Sequence, residues 1–190
     1  MDTKNLSIIR QSFASTVFTH KVQEVAAEYQ QKNVFIVKAF NIFLVGSILI
    51  FLIIQIYHQG NLVFAYISAG ITVAEIIFLI IQLSFNFEQK VVAHKNSALK
   101  YMGLRDAYRS LITDVMNESI SGIEIVTRRD LLQREYQIIS DLAPQSSSKE
   151  YTEAQMRLNK RGAVSGEEFT WSDEEIDWFL PEALRIKNDK

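Results

Sequence analysis

Residues 62–85 read LVFAYISAGITVAEIIFLIIQLSF, an apolar stretch with a single charged residue, Glu75. A helix of about 20 mostly apolar residues is long enough to cross the hydrocarbon core of a bilayer. A second stretch, residues 39–57, reads AFNIFLVGSILIFLIIQIY and has no charged residue. A chain of 190 residues can hardly cover two such helices on every side. The two stretches therefore predict membrane spans, and a pair of buried soluble core helices is the less consistent alternative.

The two spans are joined by residues 58–61, His-Gln-Gly-Asn, whose polar side chains and glycine suit a tight turn between antiparallel helices. A cleaved signal peptide fits less well, because the first apolar run begins only near residue 39 and shows no clear small-residue cleavage site. The turn has no lysine or arginine, whereas basic residues flank both spans on the other side: Lys21, Lys32, Lys38, Lys90, Lys95, Lys100 and Arg105. The positive-inside rule then places both termini in the cytoplasm and the turn outside the inner membrane.

The rest of the chain predicts an all-α membrane protein with a cytosolic helical bundle below the transmembrane hairpin. We expect an N-terminal amphipathic cytosolic helix in residues 1–33, the hairpin in residues 34–86, a cytosolic helical hairpin continuous with the second span in residues 87–144, and a linker with an acidic, aromatic helical tail in residues 145–190. The N-terminal helix can lie on the membrane or pack on the bundle, and its few lysines favour packing.

Apolar periodicity supports these cytosolic helices. The N-terminal helix has apolar residues at helical spacing: Ile9, Phe13, Val17, Phe18 and Val22. The helix after the second span has a longer stripe: Val91, Ala98, Tyr101, Leu104, Tyr108, Leu111, Ile112 and Val115. The returning helix, residues 122–142, is predicted to bury Ile123, Val126, Leu132, Tyr136 and Ile139.

The tail begins with a helix start signal, because Ser172 and Glu175 have the spacing of a capping box. Trp171, Trp178 and Phe179 give this acidic segment an apolar surface that is expected to dock. Docking on the protein's own helices and docking on a partner or neighbouring subunit are both consistent with the sequence.

Glu75 lies close to the middle of its span. In an antiparallel hairpin it lies at the depth of Leu44, with Asn41 one turn nearer the cytoplasm as its candidate partner. Lys38 is nearer still to the cytoplasm, and its side chain reaches the membrane interface more easily than it reaches Glu75. A charge at mid-bilayer costs at least ~2.5–3.5 kcal/mol, so acids in this position face a bundle interior or a wet cavity.

Three roles for Glu75 remain open at this point. A protonated Glu75 can hold the two helices together, a Glu75 in several assembled copies can line a water-filled path, and a Glu75 in a small transporter can couple to protons. Small residues at close-packing spacing on the second span, Ala65 with Ala69 and Gly70 with Ala74, suit both hairpin closure and oligomerisation.

The composition shows no pattern of a catalytic or metal-binding site. There is no cysteine, and His20, His58 and His94 are far apart in sequence. HExxH, GxGxxG, Walker-type and GxSxG patterns are absent from the sequence. The formal net charge of −2 offers no bulk attraction to nucleic acid. We therefore expect no enzymatic activity, no catalytic residue, no metal, no cofactor and no direct nucleic-acid binding.

One helix face combines aromatic and basic residues. Tyr101, Arg105 and Tyr108 recur at helical spacing, with His94 on about the same side and Arg109 flanking it. Aromatic rings with interleaved arginine can stack on bases and pair with phosphates, which makes this face a candidate trigger or partner site. The alternative is that the two tyrosines are core residues and that Arg105 pairs with an acid such as Asp130 or with the acidic tail.

The layout, with HKNSALKYMGLRDAYRSL at residues 94–111 and FTWSDEEIDWFLPEALR at residues 169–185, resembles the SMODS- and SLOG-associating two-transmembrane effector (SLATT) family. The resemblance implies a prokaryotic antiviral effector that forms pores in, or disrupts, the inner membrane and causes abortive infection. It also implies a cytosolic trigger, such as a nucleotide-signal synthase, a reverse transcriptase or a nucleotide ligand.

The sequence therefore favours a homo-oligomeric, multi-pass effector of the inner membrane in contact with lipid. A membrane-anchored scaffold that recruits a soluble partner enzyme through the tail is the first alternative. A small proton-coupled transporter subunit is the second.

Overall fold

The structure, a computed structural model, describes residues 2–58, 60, 62–158 and 170–186. Within these residues the chain is entirely helical, as expected, and contains no strand. The helices are α1 (Thr3–Tyr57), α2 (Val63–Phe85), α3 (Phe87–Met116), α4 (Gly122–Leu142), α5 (Ser148–Arg157) and α6 (Asp173–Asp177), followed by a 3-10 turn at Glu182–Leu184. The predicted N-terminal helix and the first span have different apolar patterns but form one continuous helix, α1.

The chain forms two compact units. One consists of Met1–Ala26 with Ala93–Lys190 and is called the helical module here, and the other is Ala27–Val92, called the hairpin unit. The N-terminal part of α1 belongs to the helical module and the remainder of α1 belongs to the hairpin unit.

The N-terminal part of α1 is the central helix of the helical module. His20 on α1 shares a hydrogen bond of 2.8 Å between its Nδ1 and the carbonyl oxygen of Ala98 on α3. Thr19 is joined to Tyr136 of α4 through a hydroxyl pair 3.1 Å apart. Apolar side chains fill the space between these helices, and the buried ones include each residue that the two predicted stripes place in the module: Ile9, Phe13, Val17, Phe18, Val22, Ala98, Tyr101, Leu104, Tyr108, Leu111, Ile112 and Val115. Burial of each larger side chain stabilises the module by roughly 1.5–3 kcal/mol.

Helix α4 buries Leu132 and Ile139 as predicted, but its first turn presents a different residue to the core. Its buried residues are Ile125, Leu132 and Ile139, which are seven residues apart. Ile123, predicted to be buried, is 84% exposed, and Val126 is also exposed. Ile123 and Ile125 differ by two positions, or about 200° around the helix, so only one of the two can face the core.

The hairpin unit contains the second part of α1 and the antiparallel helix α2. The rings of Phe40 and Phe78 meet edge-on with centroids 4.9 Å apart. Near the turn, the backbone N–H of Ala65 donates to Oε1 of Gln55 over 3.1 Å. These contacts agree with the predicted register, in which Glu75 lies at the same depth in the hairpin as Leu44.

Both helices of the hairpin are long and apolar enough to cross a membrane. None of the most apolar window of the first helix is buried, and only 11% of that of the second is buried. The core helix of a soluble protein would be covered on most sides, so this exposure fits side chains that meet lipid.

The predicted continuous helix from the second span is interrupted at Asn86. This residue ends α2 in the left-handed conformation, with φ 47° and ψ 43°, and α3 begins at Phe87. Asparagine tolerates this conformation better than most residues with a β-carbon because its short polar side chain bonds locally. The rings of Phe85 and Phe87 stack across the break with centroids 5.6 Å apart.

We expect Asn86→Val to destabilise the hairpin unit by about 1–2 kcal/mol relative to Asn86→Gly, because a β-branched side chain opposes a positive φ and glycine does not. Thermal unfolding of the detergent-purified variants measures the difference. Ser84→Val, at an exposed helical position, is the control. Equal stability of the valine and glycine variants at residue 86 would contradict the left-handed conformation.

Candidate functional site

The face of α2 that is directed towards α1 carries polar residues every seven positions. They are Ser68, Glu75 and Gln82, and this set is called the polar seam here. Ser68 and Glu75 are 4% and 6% exposed, and Gln82 is half-buried. The hydroxyl of Ser68 donates to the carbonyl oxygen of Ala65 over 2.9 Å, so it is satisfied within its own helix. The members of the seam with buried oxygens that lack a hydrogen-bond partner among the described residues are therefore Glu75 and Gln82.

Glu75 is buried without a partner. Both of its carboxyl oxygens are inaccessible, and neither has a hydrogen-bond partner among the described residues. Asn41, the predicted partner, is half-buried on α1 and makes no hydrogen bond with Glu75. An isolated ionised carboxylate is very costly in an apolar environment, and a neutral one still loses its hydrogen bonds to water. The hairpin unit thus buries an acid that has no hydrogen-bond partner among the described residues.

The end of the hairpin unit that is rich in lysine has a small cavity of about 130 Å³. The Nζ of Lys38 lies 2.6 Å from Oε1 of Glu88 beside it, and both side chains are more than half exposed. A surface pair of this kind contributes less than about 1 kcal/mol. Gln82 lines the cavity, and its Oε1 is buried without a partner among the residues described. Lys38 thus lies at the end of the hairpin and not beside Glu75.

In the helical module, Arg10 forms a second polar centre. Its side chain is completely buried, and its Nη2 lies 2.6 Å from Oδ1 of Asp177 and 3.5 Å from Oδ1 of Asp173. Nη1 donates to the carbonyl oxygen of Leu184 over 3.3 Å. Two acids and a carbonyl from the C-terminal tail thus surround one buried cation on α1, which fixes the tail in one position.

Gln11, the next residue on α1, binds the start of the same tail. Its Nε2 donates to the carbonyl oxygen of Trp171 over 2.6 Å, and its Oε1 accepts from the backbone N–H of Trp171 over 2.9 Å. The Trp171 ring is buried and meets Phe18 edge-on with centroids 5.8 Å apart. The tail therefore docks on the protein's own α1.

The three aromatic residues of the tail differ in their roles. Trp171 is buried, Phe179 is half-buried against it with ring centroids 5.7 Å apart, and Trp178 is 41% exposed. The predicted capping box is present, because Ser172 accepts from the N–H of Glu175 and Glu175 accepts from the N–H of Ser172. This box begins α6 at Asp173 and so places Asp173 and Asp177 on the side of Arg10.

The candidate trigger face is mostly core. Tyr101 and Tyr108 are buried, and the hydroxyl of Tyr101 lies 2.9 Å from Oγ of Ser140 on α4. His94 is also buried, with its Nδ1 2.7 Å from Oε1 of Gln23. The rings therefore do not face solvent, and the stacking of a ligand on them is inconsistent with this packing.

The arginines of that face pair locally. The Nη2 atoms of Arg105 and Arg109 lie 2.9 Å and 3.2 Å from Oδ1 of Asp106 on the same helix. Among the residues that the structure describes, the partner of Arg105 is thus Asp106, and neither Asp130 nor the described part of the tail pairs with it. Within the described ranges there is also no cluster of three or more His, Cys, Asp or Glu residues that could hold a metal ion.

Arg10 and Gln11 were missed by the sequence analysis. A signal for Arg10 was present, because it follows Ile9 and precedes Phe13 on the apolar side of the N-terminal helix. A charged residue on a buried face needs a charged partner, and the acidic tail is the segment that supplies one.

Comparison with known proteins gives one result. Residues 6–175 match the model of a family described as SMODS and SLOG-associating 2TM effector domain family 4. No curated protein and no solved structure matches the chain.

We expect Arg10→Ala to destabilise the docked tail by about 3–5 kcal/mol, because it leaves buried acceptors and a partly buried Asp177 without their cation. Limited proteolysis between residues 145 and 190, together with thermal unfolding, measures the effect. Arg109→Ala, which removes a half-exposed arginine, is the control and should change stability by less than about 1 kcal/mol. Equal protection of the tail in both variants would show that Arg10 does not hold it.

Burial raises the pKa of Tyr108 to about 12 from its ordinary value of 10.0. The unfolded chain therefore loses this proton first as the pH rises, so the stabilisation is complete below pH 10 and is lost between pH 10 and about 12. In Tyr108→Phe the free energy of unfolding should fall by about 2 kcal/mol less over this interval than in the wild type. An equal fall in the wild type and in Tyr108→Phe would contradict the burial of this phenol.

Proposed function

Because the chain belongs to the SMODS and SLOG-associating 2TM effector domain family 4, we propose that it is a non-enzymatic effector of a prokaryotic antiphage system. When a cytosolic signal arrives, copies of the chain open a path through the inner membrane, and the cell dies or stops growing. The family description supports the effector role, and the two apolar helices support a membrane location.

The observation that carries this proposal is the unpartnered acid in the polar seam. An acid that only held two helices together would be expected to form a hydrogen bond with the other helix, and Glu75 forms none with any described residue. Its interactions improve when water reaches it, so Glu75 favours a state in which the seam is wet. Intramembrane acids commonly mark ion pathways for this reason.

Two helices cannot enclose a pore, so the open state requires several copies. The outward side of α2 offers a surface for this contact, since Gly70 and Ala74 are exposed and, apart from the neighbouring backbone of α2, no described atom lies within 4 Å of a β-carbon built on Gly70. Small residues four positions apart allow helices to approach closely in lipid. We place a homo-oligomeric contact on this face.

The trigger acts on the helical module in this proposal. The tail occupies α1 through Arg10 and Gln11, and a partner or ligand that displaces it would change the packing of α1. Helices α1 and α3 both cross the boundary between the units, but Asn86 interrupts the connection from α2 to α3. In this proposal the signal travels through α1, which continues without a break into the first span. A nucleotide-signal synthase, a reverse transcriptase or a nucleotide is the class of trigger that the family resemblance implies.

Membrane depolarisation in cells that express the protein tests this function. The wild type should depolarise the membrane when triggered or overexpressed, and Glu75→Leu should reduce the effect at least about tenfold because the seam loses the group that favours water. Thr72→Val, which removes an exposed hydroxyl of the same helix, should behave as the wild type does. Equal depolarisation by Glu75→Leu and the wild type, at equal amounts in the membrane, would remove Glu75 from the mechanism.

A membrane-anchored scaffold is the second candidate. Trp178 remains 41% exposed after the tail has docked, and an exposed tryptophan beside acidic residues suits a protein partner. A scaffold would keep its function when an unrelated membrane anchor replaces the hairpin, whereas the proposed effector would lose it.

A proton-coupled transporter subunit would instead require a carboxylate at residue 75 and would fail with Glu75→Gln.

A further inference from the structure

The cavity at the lysine-rich end of the hairpin unit joins the polar seam. Val34 and Val37 of α1 line one side of it, and Gln82 and Asn86 line the other. Its volume of about 130 Å³ is enough for a few water molecules, each of which occupies about 30 Å³ in the liquid. Gln82 is thus both a wall of the cavity and a member of the seam.

The unmet groups along this line are all hydrogen-bond acceptors. They are Oε1 of Gln82 and both carboxyl oxygens of Glu75, each buried without a partner in the part of the chain that the structure describes. The two residues are seven positions apart, which is about 10 Å along one face of a helix. Carboxyl and amide oxygens of this kind attract a cation, whereas they do not bind an anion.

We propose that this cavity is the mouth of a cation-selective path that runs along the polar seam, with the Lys38–Glu88 ion pair as its closure. The path carries a small inorganic cation, which the amide oxygen of Gln82 and the carboxylate of Glu75 bind in succession. It depends on the proposed function, because the section from Gln82 to Glu75 becomes wet only when the copies open.

The ion pair suits the role of a closure. The Nζ of Lys38 and Oε1 of Glu88 are 2.6 Å apart, but 59% of one side chain and 69% of the other are exposed, so solvent screens their attraction. While the pair is formed, the mouth has no net charge from these two residues. Loss of the lysine would leave a carboxylate that attracts cations, and loss of the glutamate would leave an ammonium that repels them.

The absence of cysteine from the sequence makes the test simple, because a single introduced thiol is the only one in the chain. Gln82→Cys in native membranes is treated with a positively charged and a negatively charged methanethiosulfonate reagent of similar size, both membrane-impermeant. Ile80→Cys, on the exposed outer face of α2, is the matched control. The cationic reagent should modify residue 82 about tenfold faster than the anionic one, and faster than it modifies residue 80.

Charge variants of the closure sharpen the result. In the Gln82→Cys background, Lys38→Gln should increase the preference for the cationic reagent several-fold, and Glu88→Gln should reduce or reverse it, following the sign of the charge left behind. Modification of residue 82 no faster than residue 80 would overturn the mouth. Equal rates for the two reagents, or a faster anionic one, would overturn the cation selectivity.

The labelling result and the depolarisation result separate the two proposals. If the wild type depolarises the membrane but residue 82 reacts equally fast with the cationic and the anionic reagent, the effector function is retained and the cation path is rejected. Preferential cationic labelling in a protein that never depolarises the membrane rejects the pore and also rejects conduction along the path, leaving only a cation-attracting cavity. Both results together support the path.

Discussion

Polar groups that enter lipid lose water as a partner, and this constraint explains most features of the hairpin unit. The helices satisfy the backbone, and the hydroxyls of the spans donate to carbonyl oxygens of their own helix, as in Ser47 to Phe43 and Thr72 to Ser68. Gln55 serves the same end by accepting from the N–H of Ala65, near the start of α2 where no intrahelical partner exists. The carboxyl group of Glu75 and the amide oxygen of Gln82 are exceptions, because they are buried without a hydrogen-bond partner among the described residues.

The hairpin and the buried stripe of α3 follow from the sequence because their signals are local and strong. Long uncharged runs, a short polar connection and apolar residues at helical spacing leave few other arrangements. The relative depth of Phe40 and Phe78 also follows, since a short turn fixes the register of two antiparallel helices. In the same way, the capping box at Ser172 is a local pattern that the structure reproduces.

Other features depend on which distant surfaces meet, and the sequence does not specify that. The face that α4 buries is set by its neighbours, and Ile125 is buried there in place of the predicted Ile123. The left-handed conformation of Asn86 is a one-residue event inside an otherwise uninterrupted helical pattern. Arg10 and Asp177 are far apart in the chain, so their pairing could be recognised only after the tail was known to lie on α1. For the tyrosines of α3 the sequence left a ligand face and a core position open, and their burial follows the more common behaviour of aromatic residues at helical spacing.

The connection between the spans has a consequence for how the protein enters the membrane. In the predicted topology, the segment that crosses to the far side is only residues 58–61, and it contains no lysine, arginine, aspartate or glutamate. Moving it through hydrocarbon demands little work compared with transferring a charged loop. The bond from Ala65 to Gln55 ties the two spans together just beside that segment. With that topology, the two spans are suited to insertion as one unit during biogenesis.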